Sequence, residues 1–199
     1  MFPFFETIRY KDAVAENLYF HQQRVEQTFM HFGQICTLDI KSIDLKNEAS
    51  KNGATSDGVF KCKIMYDLKG NIQISFEPYQ IRTIQSFTIL DIGGNDYAVK
   101  FTDRTWINDA VKSVTTDEVI FAKDGVLKDA SYANIVLFDG KDWVTPINPL
   151  LLGTKRALLL SENRIKTKEI RQNQLKDYQA LKFINAMMHW EESPTIEFV

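Results

Sequence analysis

Two β-rich runs, GVFKCKIMYD from Gly58 to Asp67 and NIQISFEPY from Asn71 to Tyr79, are separated only by Leu68-Lys69-Gly70. So short a connection turns the chain back on itself, and the runs are predicted to pair as an antiparallel hairpin. The rest of the first half is read around that hairpin. Phe4 to Tyr10, rich in aromatic and β-branched residues, reads as a strand. Asn17 is placed to cap a helix through LYFHQQRVEQTFMHF to Gly33, in which Leu18, Val25, Phe29 and Phe32 recur at helical spacing. The polar stretch from Lys46 to Gly58 reads as a loop. A third β-rich run, Thr83 to Leu90, is expected to complete the sheet, giving a small α+β domain over residues 1–90.

Gly93-Gly94-Asn95-Asp96 breaks the pattern and marks the expected boundary with a larger domain over residues 91–199. There a helix is predicted from Arg104 to Lys112, followed by strands at DEVIFA, ANIVLFD and DWVT with turns at 123–125 and 139–140. A second helix opens near Gly153-Thr154 and runs to Leu160, then a strand from Arg164 to Ile170 and a polar helix from Asn173 to Tyr178. ALKFINAMM closes the pattern as a buried strand or turn. The class is α+β, with a mostly β second core and short helices.

Composition narrows the functions such a chain can have. The 24 Lys and Arg nearly balance the 26 Asp and Glu, a net charge of -2, so no field argues for nucleic acid or a membrane surface. Small-molecule partners stay open. Cys36 and Cys62 fall in no zinc-type spacing and make no disulfide framework, so both are expected as buried thiols and no metal site is expected. The opening MFPFFETIRY has no basic segment or cleavage site, and no window approaches the ~18 apolar residues of a membrane span. A soluble, reduced, cytoplasmic protein is expected.

Several spaced segments then occur together and in order: FFETIR, a His-x-x-Arg on the first helix, PYQIR, YAVKFTDR, LKDASYANI with DGKDWVTP, PLLLGTKR and FINAMM. Together they resemble the class IV aminotransferase family, which holds branched-chain aminotransferases, D-amino-acid transaminases and aminodeoxychorismate lyases. The likeness runs from Phe5 to Met188 and implies the two-domain fold of D-amino-acid aminotransferase-like enzymes, pyridoxal 5'-phosphate as cofactor and a homodimer.

By this resemblance Lys100, in Tyr97-Ala-Val-Lys100-Phe-Thr-Asp-Arg104, is the Schiff-base lysine, and its chemistry asks for an amine on a stiff, partly desolvated element. Asp129 aligns with a glutamate that pairs with the pyridine nitrogen and keeps the ring an electron sink; it is one methylene shorter. Gly153 and Thr154 open a helix suited to the cofactor phosphate, with Thr154 as a plain N-cap the compatible alternative. Arg24, one turn after His21, matches the phosphate-binding arginine. Asn185 and Ala186 resemble the backbone segment that completes the phosphate cup, in its lyase form. Asn134 is expected to support local backbone. Thr7 matches a threonine that in the lyases delivers a proton to the departing enol-pyruvate, and Arg82 and Arg104 are candidate clamps for a substrate carboxylate, with structural salt bridges the alternative.

Family members usually carry a strand and loop before the FETIR-like segment, which line the substrate side, so the resemblance implies the cofactor more directly than the substrate. FINAMM and Thr7 favour a lyase that converts 4-amino-4-deoxychorismate to 4-aminobenzoate and pyruvate. An aminotransferase for branched-chain or D-amino acids uses the same electron sink and proton shuttle. A non-catalytic cofactor-binding protein is the third possibility.

Overall fold

The computed structural model describes residues 2–54 and 57–198. Two compact units are present, and each is described by itself.

The first unit holds residues through Gln80 together with Val99–Asp103. Strand β1 (Phe4–Lys11) turns into the short β2 (Val14–Ala15), helix α1 (Leu18–His31) follows, then α2 (Leu45–Lys51), and β3 (Phe60–Tyr66) and β4 (Ile72–Pro78) form the predicted hairpin. The sheet order is β2-β1-β3-β4, antiparallel throughout. Alternation along the strands sends Phe4, Ile8 and Tyr10 of β1 and Phe60, Cys62, Ile64 and Tyr66 of β3 into one core with Val25 and Phe29 of α1. Tyr66 and Phe29 are both fully buried with rings stacked 6.4 Å apart; burying a side chain of this size contributes roughly 1.5–3 kcal/mol.

Asn17 sits at the N-cap of α1 in the left-handed region, φ 60°, but caps with no side-chain hydrogen bond; its carbonyl accepts from the Phe20 and His21 N–H groups instead. The expected loop from Lys46 is in part a helix. Asp44 accepts from the Asn47 N–H, and Leu45 and Ala49, one turn apart, are buried, so a cap and a short apolar stripe outweigh the polar composition. Thr55 and Ser56 of that stretch lie outside the described residues. Cys62 is buried, and burial pushes its thiol up to about 12, whereas Cys36 is only half-buried.

The second unit holds Ile81–Ala98 and the chain from Arg104 onwards. Its elements are β5 (Phe87–Asp91), α3 (Thr105–Lys112), β6 (Glu118–Lys123), β7 (Val126–Ala130), β8 (Asn134–Phe138), β9 (Trp143–Pro146), α4 (Thr154–Ser161), β10 (Lys166–Lys168), β11 (Ala180–Ile184) and β12 (Thr195–Glu197). The strand path is β10-β9-β8-β7-β6-β5, with β11 pairing both β8 and β12. The β6–β7 hairpin turns on Asp124 and Gly125, both with positive φ as a tight two-residue turn demands. Ile135, Leu137, Leu181 and Phe183 are fully buried in its core. The polar helix expected near Asn173 is a 3-10 turn over Gln172–Asp177.

The run from Thr83 does not complete the first sheet. Its strand, β5, pairs in parallel with β6 of the second unit, so the division expected at residue 90 falls at Gln80 instead. Nor is Gly93-Gly94 a boundary, because the chain rejoins the first unit only at Val99–Asp103. There the Phe5 N–H donates to the Lys100 carbonyl at 3.1 Å and the Thr102 N–H to the Pro3 carbonyl at 2.8 Å.

Candidate functional site

In the first unit the residues of interest fall on the two faces of β1. Glu6 occupies an inward position among Phe4, Ile8 and Tyr10 and is fully buried. A carboxylate there needs partners, and α1 supplies two of them one turn apart. Arg24 donates from Nε to Glu6 Oε1 at 2.9 Å and from Nη2 to Oε2 at 2.5 Å, and His21 Nδ1 lies 2.5 Å from the same Oε2. Burial alone would raise the Glu6 carboxyl, but the Arg24 guanidinium and the His21 bond outweigh it and hold the group at about 2. Burial pushes His21 down, against the pull of Glu6, and the charges of Arg24 and Lys100 add to the effect. Arg24, expected at a phosphate, is thus held by a planar fork on Glu6. Glu6 was not among the expected site residues. The available signal was a carboxylate at an apolar-face position of a strand, facing a His-x-x-Arg turn.

The opposite face carries Phe5, Thr7 and Arg9, and here the segment containing Lys100 runs beside β1. Phe101 pairs with Phe4 and its ring packs 5.7 Å from that of Phe4 on the core side, so alternation turns Lys100 to the other side. Lys100 Nζ stands 4.7 Å from the Phe5 ring centroid. Lys100 and Thr7, a half-buried hydroxyl two residues after Phe5, therefore share one face of the sheet.

In the second unit Asp129, Asn134, Gly153, Thr154 and Asn185 gather at one end of the sheet. Asp129 on β7 is 4% exposed; its Oδ1 accepts from Asn134 Nδ2 at 2.7 Å and its Oδ2 from the Leu151 N–H at 2.8 Å. Asn134 also donates to the Leu151 carbonyl at 3.0 Å, so this pair of side chains fixes the turn that leads into α4. Gly153 is the N-cap of α4 and Thr154 its first residue, so the cap expected at Thr154 is one residue earlier. A Cβ on Gly153 would fall 1.8 Å from Asn134 Oδ1, so any larger residue there would push the Asn134 side chain out of its place. Ile184 pairs with Asn134 in the β11–β8 register, and the next residue, Asn185, accepts the Met187 N–H on its side-chain oxygen in a turn that includes Ala186. Arg156, in the first turn of α4, is 6% exposed, donates to the Pro146 carbonyl at 2.9 Å and leaves its Nε without a hydrogen-bond partner. Within the Gly-Thr-Lys-Arg segment the sequence reading singled out only the first two residues.

Arg82 and Arg104 come to a single turn. Arg82 pairs with the fully buried Glu118 at 3.3 Å, donates to the Asp117 carbonyl at 2.8 Å and stacks 4.9 Å over the Tyr132 ring. Arg104 donates to the Ser131 carbonyl, and Glu118 accepts the Ser131 N–H at 3.2 Å. The two arginines expected as carboxylate clamps thus brace the Ser131-Tyr132 turn between Asp129 and Asn134.

Burial pushes the Asp129 carboxyl up to about 6, against the bonds from Leu151 and Asn134 and the charge of Arg156. An acid raised in the folded state favours the fold below its ordinary value near 3.8, and that contribution is lost as pH rises through 6. Relative to Asp129→Asn, the cofactor-free protein is therefore expected to lose about 2–3 kcal/mol of stability between pH 3 and pH 7. Chemical unfolding at both pH values checks this; a difference that does not change with pH would remove Asp129 as a strained buried acid.

Among the described residues no side-chain cluster could hold a metal ion, and no helix is long and apolar enough to cross a membrane. The model of the amino-transferase class IV family matches residues 98–191. A Haemophilus influenzae protein named only as uncharacterized is 30% identical over 189 residues, 94% of this chain and 98% of its own. The crystal structure of a Haemophilus somnus protein, named as a candidate 4-amino-4-deoxychorismate lyase, superposes with a TM-score of 0.83 at 33% identity over 94% of this chain and 97% of that one. The chain belongs to the class IV aminotransferase family. A fold IV transaminase from Curtobacterium pusillum, 17% identical with a TM-score of 0.78 over 98% of this chain and 76% of its own, shares the fold.

Class IV enzymes depend on pyridoxal 5'-phosphate, and the residues present here fit that group. Asp129 is a buried carboxyl whose ionisation is opposed by burial, an acceptor to which a protonated ring nitrogen could donate. Each of its oxygens keeps acceptor capacity beyond the one bond described.

Proposed function

We propose that this class IV protein is a pyridoxal-phosphate-dependent lyase converting 4-amino-4-deoxychorismate to 4-aminobenzoate and pyruvate. The observation that carries the reading is the common face of Lys100 and Thr7, an amine over the Phe5 ring and a hydroxyl two residues further along the strand. The name of the Haemophilus somnus relative supports it. Lys100 would hold the cofactor covalently, Asp129 its ring nitrogen, and Arg24, Gly153, Thr154, Asn185 and Ala186 its phosphate. When bound, the cofactor supplies an electron sink for the carbon bearing the substrate amine.

The protein's own groups then divide the proton work. Lys100 Nζ takes the proton from the substrate carbon that carries the amine, and the Thr7 hydroxyl supplies one to the three-carbon unit as its bond to the ring breaks. The substrate divides into 4-aminobenzoate and pyruvate with no further reactant, so no amino acceptor is consumed. Glu6 fixes the direction of the Arg24 guanidinium by a two-bond fork, which a point-charge lysine would not achieve.

The purified protein with cofactor and 4-amino-4-deoxychorismate, and no keto acid, is expected to form pyruvate and 4-aminobenzoate in equal amounts. Thr7→Val should turn over roughly 10²-fold more slowly while still binding cofactor. Rapid conversion of the cofactor to its amine form by branched-chain or D-amino acids, with no pyruvate from aminodeoxychorismate, would make the protein an aminotransferase instead.

A further inference from the structure

On the face of the first sheet that carries Thr7, two cations are answered. Arg9 donates to Glu16 at 3.1 Å. Lys61, opposite Arg9 on β3, pairs with Glu77 of β4 at 3.1 Å. Lys63 is different. Its register partners are Thr7 on β1 and Ser75 on β4, neither of which can neutralise it, and among the described residues no carboxylate pairs with it. Its Nζ lies 5.2 Å from the centroid of the Phe5 ring, the ring that Lys100 Nζ approaches to 4.7 Å. Two ammonium groups thus share one aromatic side chain, with the Thr7 hydroxyl on the strand position facing Lys63.

The ammonium of a half-buried lysine with which no carboxylate pairs makes a local field that favours an anion. We propose that Lys63 binds a carboxylate of the substrate, namely the one on the three-carbon unit that Thr7 serves. The assignment rests on the lyase reading and deepens it: the substrate must carry a carboxylate within reach of the atom that receives the Thr7 proton. Pyruvate, which keeps that carboxylate, is the probe, and 4-aminobenzoate, which lacks it, is the control.

The test is titration of the holoenzyme with each compound, by calorimetry, for wild type, Lys63→Met and Lys63→Arg. Loss of a charge-assisted hydrogen bond should weaken pyruvate binding about ten- to a hundredfold in Lys63→Met, leave 4-aminobenzoate within about twofold, and be largely restored in Lys63→Arg. Equal pyruvate affinity in wild type and Lys63→Met, equal weakening of both compounds, or no pyruvate affinity in wild type would each overturn the proposal. Turnover of aminodeoxychorismate by wild type is measured alongside. If it yields no pyruvate the lyase reading fails, whereas normal turnover with an unchanged pyruvate affinity in Lys63→Met removes Lys63 alone.

Discussion

Lys100→Ala is expected to remain folded yet retain no cofactor after borohydride reduction, and to lose turnover by on the order of 10²–10⁴-fold from the missing proton transfer alone. The fold should survive because the main-chain tie to β1 uses the Lys100 carbonyl, which alanine keeps. The place of the side chain over Phe5, a cation–π contact, is worth about 0.5–1 kcal/mol. Peptide mass analysis of the reduced wild-type protein should place the adduct on Lys100. Lys63 stands over the same ring, so an adduct there would mean that the roles of the two amines are exchanged; one on Lys112 or Lys123 would undo the alignment of the second half.

Glu6→Ala carries the largest expected cost to stability, about 3–5 kcal/mol, because it leaves the Arg24 guanidinium buried without its carboxylate and takes the partner from His21. Denaturant unfolding monitored by circular dichroism would check it, and a loss below about 1 kcal/mol would mean that the Glu6 cluster is solvated or interchangeable. The pH dependence gives an independent reading. Glu6 is held at about 2 in the folded state, below its ordinary 4.5, so its contribution is full above 4.5 and disappears as pH falls toward 2. Wild type should therefore lose stability over that window more steeply than Glu6→Gln, which has no proton to take up. Cofactor retention should fall in both variants, since Arg24 loses the fork that aims it.

Local physics made the elements of the first unit legible: the hairpin from its three-residue connection, β1 from its aromatic and β-branched content, α1 from its apolar spacing. The motif PLLLGTKR put Gly153-Thr154 at the helix start where the structure has it, because a helix start is itself local, whereas Asp129 lies on β7, a strand not read from LKDA, and Lys100 lies outside the helices and strands, beside β1. Where polar composition argued for a loop at Lys46, a single cap and two buried apolar residues decided for α2.

Strand partnership was another matter. The run after Thr83 looks the same whether it joins the first sheet or the second, and only its parallel pairing with β6, set by backbone hydrogen bonds to residues about thirty positions away, assigns it. The same holds for the site. Alternation puts Glu6 on the apolar face of β1, but nothing local in FFETIR or in the helix tells that it takes the fork of Arg24, or that Lys63 on a strand far along the chain faces Thr7. Residue type and local conformation were determined by the sequence, through propensity, capping and turn chemistry. Which charges meet was decided by tertiary pairing, because burial without a counter-charge is too costly to be left to the local chain.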